Sequence, residues 1–337
     1  MAFTENSGLP LTHHHIATAH GTLHLSSLAP TPTASNIPAN PPNTSPTPTL
    51  LLIHGNSSCS LSFHRLLTHL RAHSSPLTTH RTLLLDLPGH GASTDAPHPE
   101  ASYTQPAYAA AALDALEALG CLSGGVVVLG WSLGGHVALE LVAADEARMR
   151  RGGADATRCV QGVMIVGTPP ALGEAQVATG FLHDPPPPPA SETNDDGEEK
   201  EEGEEEGDRM LLAEQETWPA AAFSTFPYAA IGEPHDDWIR SAAQRTDGRA
   251  RRIMFDAFKG GRGVDQRQLC EESDVPVAVV NGGAEPFVNL DYLDEIAYAN
   301  LWEGAAHRID GLGHAPFWER PDLFASFWER FVGDCLK

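Results

Sequence analysis

The sequence predicts an α/β fold: a mostly parallel, doubly wound sheet with a helical cap inserted between its sixth and seventh strands. Short apolar runs at 50–54, 82–86, 126–130, 160–166, 275–281 and 305–309 alternate with helical stretches at 61–73, 103–119, 133–148, 290–301 and 321–331. Strands that are apolar throughout, rather than at every second residue, are buried on both faces, as a parallel sheet covered by helices requires. Between Val166 and Val275 the alternation stops, and the aromatic stretch holding Trp218, Phe223, Phe226, Tyr228 and Trp238 reads as a helical cap.

From the N-terminus, residues 1–25 supply the first strands of the core, a hairpin over 13–25 turning at Gly21. His13, His14 and His15 do not make a metal site, because consecutive residues of a strand point to opposite faces. Residues 26–49 are dominated by Pro, Ser, Thr, Ala and Asn, which bury too little apolar surface to offset the entropy of ordering, so a loop or disordered insertion is expected. Residues 50–167 form the first part of the core and 274–337 the second. The cap spans 168–273 and carries an insert at 185–208, a proline run followed by eleven acids from Glu192 to Asp208 against Lys200 alone.

That tract supplies −10 of the formal charge of −23. The rest is spread along the chain without a cluster of Lys and Arg interleaved with aromatics, so neither nucleic acid nor an anionic membrane is expected as a partner. Five scattered cysteines with no C-x-x-C pair fit a reducing compartment better than a disulfide framework. No apolar run approaches the about 20 residues that span a bilayer, and the first residues lack a basic flank and a long apolar stretch. A soluble, cytoplasmic protein is expected, with the sequon at Asn43 idle. Oligomeric state is not legible.

The chemistry concentrates at strand ends. Gly130-Trp-Ser-Leu-Gly-Gly135 follows an apolar β-branched run and opens a helix. A strand that turns abruptly into a helix brings backbone against backbone, which Gly130 and Gly134 permit, and throws Ser132 outward at the helix N-terminus. A serine hydroxyl is a weak nucleophile and needs a base and a group to orient that base. Of seventeen histidines, His314 lies immediately beyond the last expected strand, where catalytic groups of open α/β sheets collect. Glu285 is the first carboxylate after the strand at 275–281, with Asp291 and Asp256 as weaker alternatives. Ser, then acid, then His is the order described for α/β-hydrolases. An oxyanion hole is expected from the backbone N–H groups of Leu133 and Asn56, the latter in the loop after the strand at 50–54. Trp131, Trp218, Phe223 and Phe287 are the expected substrate-binding residues.

On these residues the chain resembles the α/β-hydrolase superfamily, in the branch typified by esterases acting on acyl carrier protein methyl esters and by related C–C bond hydrolases. The carriers are His54-Gly-Asn56, Asp86-Leu-Pro-Gly-His-Gly-Ala-Ser93, the elbow at 130–135, the strand and loop at 275–286, and Gly313-His-Ala-Pro-Phe-Trp-Glu-Arg-Pro321. The resemblance implies a triad of Ser132, Glu285 and His314, an oxyanion hole at Asn56 and Leu133, and a lid between the sixth and seventh strands. Two features depart from the branch: its acid is usually Asp, one methylene shorter than Glu285, and the inserts at 26–49 and 185–208 are atypical. Ser132 excludes the carboxylate-nucleophile route of epoxide hydrolases and haloalkane dehalogenases. His54 and His90 lack a metal-ligand spacing, so no metal and no organic cofactor is expected. The leading expectation is a serine hydrolase cleaving a carboxylic ester of a small or medium apolar acyl or aryl substrate through an acyl-enzyme. C–C bond hydrolysis or acyl transfer with the same residues is the alternative within enzymes, and a noncatalytic ligand-binding protein the alternative outside them.

Overall fold

The computed structural model describes residues 8–31, 48–152, 157–182 and 209–337. Most of the Pro/Ser/Thr-rich insertion, the sequon at Asn43 and the whole of the acidic insert at 185–208 therefore lie outside the described residues.

The described strands form a single sheet in the order β1-β2-β4-β3-β5-β6-β7-β8. These are β1 (Leu11–Thr18), β2 (Gly21–Leu28), β3 (Thr49–Ile53), β4 (Arg81–Asp86), β5 (Val126–Trp131), β6 (Val160–Val166), β7 (Val277–Gly282) and β8 (His307–Ile309). β1 and β2 pair antiparallel, β2 joins β4 antiparallel, and every pair from β4 to β8 is parallel. The sequence places the start of the insertion at 26, but β2 runs on to Leu28. Ser26 and Ser27 still pair with Leu84 and Leu83, so the sheet register outweighs the poor strand preference of serine.

Successive residues of each central strand face opposite layers, which is why the strands read as apolar throughout. Leu51, Leu83, Val128, Ile165 and Val279 pack on one face against α2 (Gln105–Ala118) and α3 (Leu133–Gly152). Leu52, Leu84, Leu129, Met164 and Val280 pack on the other against α1 (His64–Ala72) and α11 (Pro321–Cys335), through Leu66, Leu70, Phe324 and Trp328. Each such side chain, fully buried, contributes about 1.5–3 kcal/mol. α2 starts at Thr104, whose hydroxyl accepts the Ala107 N–H, and its buried alanines let it lie close to α3.

Between β6 and β7 the chain forms the cap: α4 (Gly173–Gly180), α5 (Arg209–Glu214), α6 (Phe226–Ile231), α7 (Asp237–Arg245), α8 (Gly248–Lys259) and α9 (Gln266–Glu272). The helix expected at 290–301 is only the single turn α10 (Leu290–Asp294), capped by Asn289. Beyond it the backbone is drawn to neighbouring elements: the Ala299 N–H donates to the Cys270 carbonyl, and the Val277 N–H donates to the Asn300 carbonyl. These bonds exclude a continued helix.

The five cysteines form no disulfide; four are buried and Cys335 is half-buried. Burial pushes the Cys159 and Cys335 thiols up to about 12. Among the described residues no helix is long and apolar enough to cross a membrane.

Candidate active site

The elbow follows from packing. A Cβ on Gly134 would lie 2.0 Å from the Ile53 carbonyl oxygen, and one on Gly130 would lie 2.4 Å from the Gly134 carbonyl oxygen. Only glycine lets β5 turn into α3 at that separation. The turn forces Ser132 to φ 52°, a left-handed backbone that a non-glycine residue adopts at a cost of about 1–3 kcal/mol. Its N–H donates to the Val166 carbonyl at 2.8 Å, and its own carbonyl accepts the Gly135 N–H and the Thr168 hydroxyl, each at 2.9 Å, and the His136 N–H at 3.4 Å, which together hold it there.

Ser132 lines a pocket together with His314, Asn56, Leu133, Trp131 and Phe287. His314 stands in the loop after β8, buried at 6 % exposure, and its Nδ1 lies 2.8 Å from both carboxylate oxygens of Glu285, whose side chain is fully buried. With a carboxylate on Nδ1, that nitrogen carries the proton and Nε2 is left to accept one. Glu285 is itself fixed, its Oε1 accepting the Phe287 N–H at 2.9 Å. Asp291 instead pairs with the exposed Arg308 and Asp256 with Arg252. Neither contacts His314.

Several supports of this arrangement were invisible in the sequence. Trp131 Nε1–H donates to the His314 carbonyl at 3.0 Å, and the Gly313 N–H donates to the Glu319 carboxylate at 3.0 Å. The loop after β6 touches both partners. Thr168 bonds Ser132, while a Cβ on Gly167 would lie 2.5 Å from the His314 ring. Asn281 at the end of β7 holds that loop by accepting the Gly167 N–H at 2.7 Å. The available signal was position alone, at the carboxyl ends of β6 and β7.

Leu133 begins α3, so its N–H is among the donors a helix leaves unpaired at its start. Asn56 sits across the pocket, its side-chain amide donating to the Ala213 carbonyl of the cap at 2.9 Å. His54 and His90 lie behind this loop as buried, neutral rings. His54 donates from Nδ1 to the Gly55 carbonyl and accepts the Leu87 N–H, and burial lowers its pKa. Burial lowers His90 to about 3.

Of the four residues expected to bind substrate, Trp131 and Phe287 line the pocket, and Trp218 and Phe223 do not. The buried guanidinium of Arg251 stacks 4.4 Å over Trp218, which in turn packs on Phe223 and Phe226. Phe226 reaches the pocket, and the other two support it from behind. The apolar wall comes instead from Phe181, Phe226, Met254, Phe255 and Phe258.

The profile of the Alpha/beta hydrolase family matches residues 50–327. No curated protein sequence matches the chain. Among solved structures, the N-acyl homoserine lactonase AidH, in complex with N-butanoyl homoserine, is 34 % identical with a TM-score of 0.76, the match covering 97 % of this chain and 98 % of that one. An esterase from Rhodococcus sp. is 21 % identical (TM-score 0.65, 96 % and 99 % covered). The carboxylesterase CesB from Bacillus subtilis is 18 % identical (TM-score 0.65, 96 % and 93 % covered). The two esterases speak to the fold. With the profile spanning both halves of the core and a lactonase matching nearly end to end, the chain belongs to the α/β hydrolase family and is a hydrolase of that type.

Proposed function

We propose that the protein is a serine hydrolase that cleaves a carboxylic ester with an apolar acyl group, and that an N-acylated lactone is foremost among such esters. The observation that carries the reading is the Glu285–His314 pair at 2.8 Å facing the same pocket as a serine held at φ 52°. The lactone preference rests on the 34 % identity to a lactonase, supported by the aromatic pocket wall. Ser132 Oγ attacks the carbonyl carbon as His314 Nε2 takes its proton, and Glu285 stabilises the imidazolium. The N–H groups of Leu133 and Asn56 bind the oxyanion. As the C–O bond breaks, His314 returns the proton to the leaving alkoxide, which in a lactone stays tethered to the acyl-enzyme. His314 then activates water, and the product acid leaves Ser132 free. The site residues need no metal or organic cofactor for these steps, and neither nucleic acid nor membrane insertion enters the reading. A cytoplasmic location belongs to it as well.

The test is labelling with a fluorophosphonate probe, which reports an activated serine without a guess at substrate, followed by titration of acid released from N-butanoyl and N-hexanoyl homoserine lactone. Labelling of the wild type and its loss in Ser132→Ala and His314→Ala is expected. A folded wild type that takes up no probe would overturn the reading. An acyl group passed to added alcohol or amine faster than to water would replace hydrolysis by acyl transfer.

A further inference from the structure

The pocket wall next to Ser132 is not uniformly apolar. Gln105 of α2 and His136 of α3, 1 % and 4 % exposed, both line it, and both are tied to the fully buried Gln266 of α9. Gln266 Nε2 donates to Gln105 Oε1 at 2.9 Å and toward the His136 carbonyl at 3.5 Å. A backbone carbonyl only accepts, so the Gln266 nitrogen faces it and its oxygen faces His136 Nδ1, 2.7 Å away. Nδ1 therefore carries the proton. Burial, opposed only in part by the bond to Gln266, lowers His136 to about 4, which leaves the ring neutral at pH 7 with a bare lone pair on Nε2. With its oxygen occupied, Gln105 keeps an amide nitrogen whose contact is the Met254 sulfur at 3.8 Å. One buried amide thus fixes an acceptor and a donor together beside an aromatic and aliphatic wall, Phe258 lying 4.8 Å from the His136 ring.

We propose that Gln105 and His136 form a subsite for a hydroxyl group on the acyl chain of the substrate, the hydroxyl oxygen accepting from Gln105 Nε2 and its hydrogen going to His136 Nε2. A hydroxyl is the simple group that does both at one atom. A keto oxygen only accepts and sets its lone pairs against Nε2, a methylene leaves both protein groups unpaired, and an ammonium cannot accept from Gln105. Ser132 leads into α3 and His136 stands in its first turn, its N–H 3.4 Å from the Ser132 carbonyl, and both line the same pocket, which places the subsite along the chain beyond the scissile carbonyl. The word acyl rests on the ester-hydrolase reading of Ser132; the polar pair itself does not.

The experiment measures binding to the Ser132→Ala protein by ligand-detected NMR, using methyl hexanoate and counterparts bearing a hydroxyl or a keto oxygen at each successive chain carbon. At one position the hydroxyl ester is expected to bind at least about tenfold more tightly than the plain ester, and the keto ester no more tightly than the plain one. Gln266→Leu, which releases the His136 tautomer without touching the pocket lining, is expected to erase that ratio. Equal binding of plain and hydroxyl esters at every position, or a keto ester matching the hydroxyl one, would overturn the subsite. A folded wild type that takes up no fluorophosphonate probe while the binding ratio persists would remove the hydrolase reading and leave the subsite standing.

Discussion

Among the described residues the same buried histidine–carboxylate pair occurs twice, in two settings. His314 Nδ1 meets Glu285 at 2.8 Å, and His24 Nδ1 meets Asp86 at 2.9 Å. Both carboxylates are buried. They differ in what else they hold and in what the second ring nitrogen faces. Asp86 also accepts the backbone N–H groups of Ser60 and Ala92, and His24 Nε2 lies 3.1 Å from His13 Nδ1 on the edge strand. Both carboxylate oxygens and both ring nitrogens are engaged, and the pair knits β2, β4 and the loops around them. Glu285 holds one backbone N–H besides His314, whose ring opens on the pocket that holds Ser132. A carboxylate–imidazole pair is thus no signature of catalysis by itself, and the free nitrogen decides its role.

The sharpest way to break this contrast is Glu285→Gln, which lets the His314 ring adopt the wrong tautomer. It is expected to lower kcat by about 10³–10⁴ with KM little changed, read by steady-state kinetics on any ester the wild type hydrolyses. A near-wild-type kcat would mean that Glu285 is as structural as Asp86. The converse change, Asp86→Asn, is expected to cost about 2–4 kcal/mol in urea unfolding while kcat of the folded protein stays within about tenfold, because several buried bonds lose a charged acceptor. Full stability with lost turnover would invert the assignment.

Acid sharpens it further. Burial would raise Asp86, but bonds from His24 and the Ala92 N–H hold it at about 2, below its ordinary 3.8. Its contribution is present above pH 3.8 and is lost as pH falls toward 2. Burial also depresses His64 and His136 to about 4 and His90 to about 3, from 6.5. Between pH 6.5 and those values the unfolded chain binds protons that the folded one refuses, so stability falls as pH falls, by about 1.4 kcal/mol per pH unit for each such histidine. Urea midpoints measured from pH 7.5 down to 4.5 are expected to decline steadily, and a flat series would show that these rings are solvated. The smallest effect belongs to Trp131→Phe. It removes the bond to the His314 carbonyl and is expected to cost about 0.5–1.5 kcal/mol in kcat/KM, a few-fold to about tenfold change.

The fold was legible because its signal is local. Apolar runs such as 126–130 and 160–166 announce buried strands without knowledge of their neighbours, and Ser132, Glu285 and His314 each follow such a run closely enough to be placed at a strand end. What was not legible depends on contacts between distant segments. Gln105, His136 and Gln266 sit on three helices, and nothing near any of them in sequence marks it as polar lining of an apolar pocket. The cap aromatics failed for the same reason. Composition placed Trp218, Phe223 and Phe226 in one region, but which of them faces the pocket is set by Arg251, more than twenty residues further on. The short α10 was missed because the bonds that end it come from Cys270 and Val277.

The buried thiols make the molecule its own clock. A thiol whose pKa stands near 12 presents almost no thiolate at neutral pH, so Cys159 meets an alkylating reagent only when the chain around it opens. The rate of its modification in native buffer, divided by the rate for the unfolded chain, is then an opening equilibrium constant for the edge of β6, read under native conditions and without a substrate.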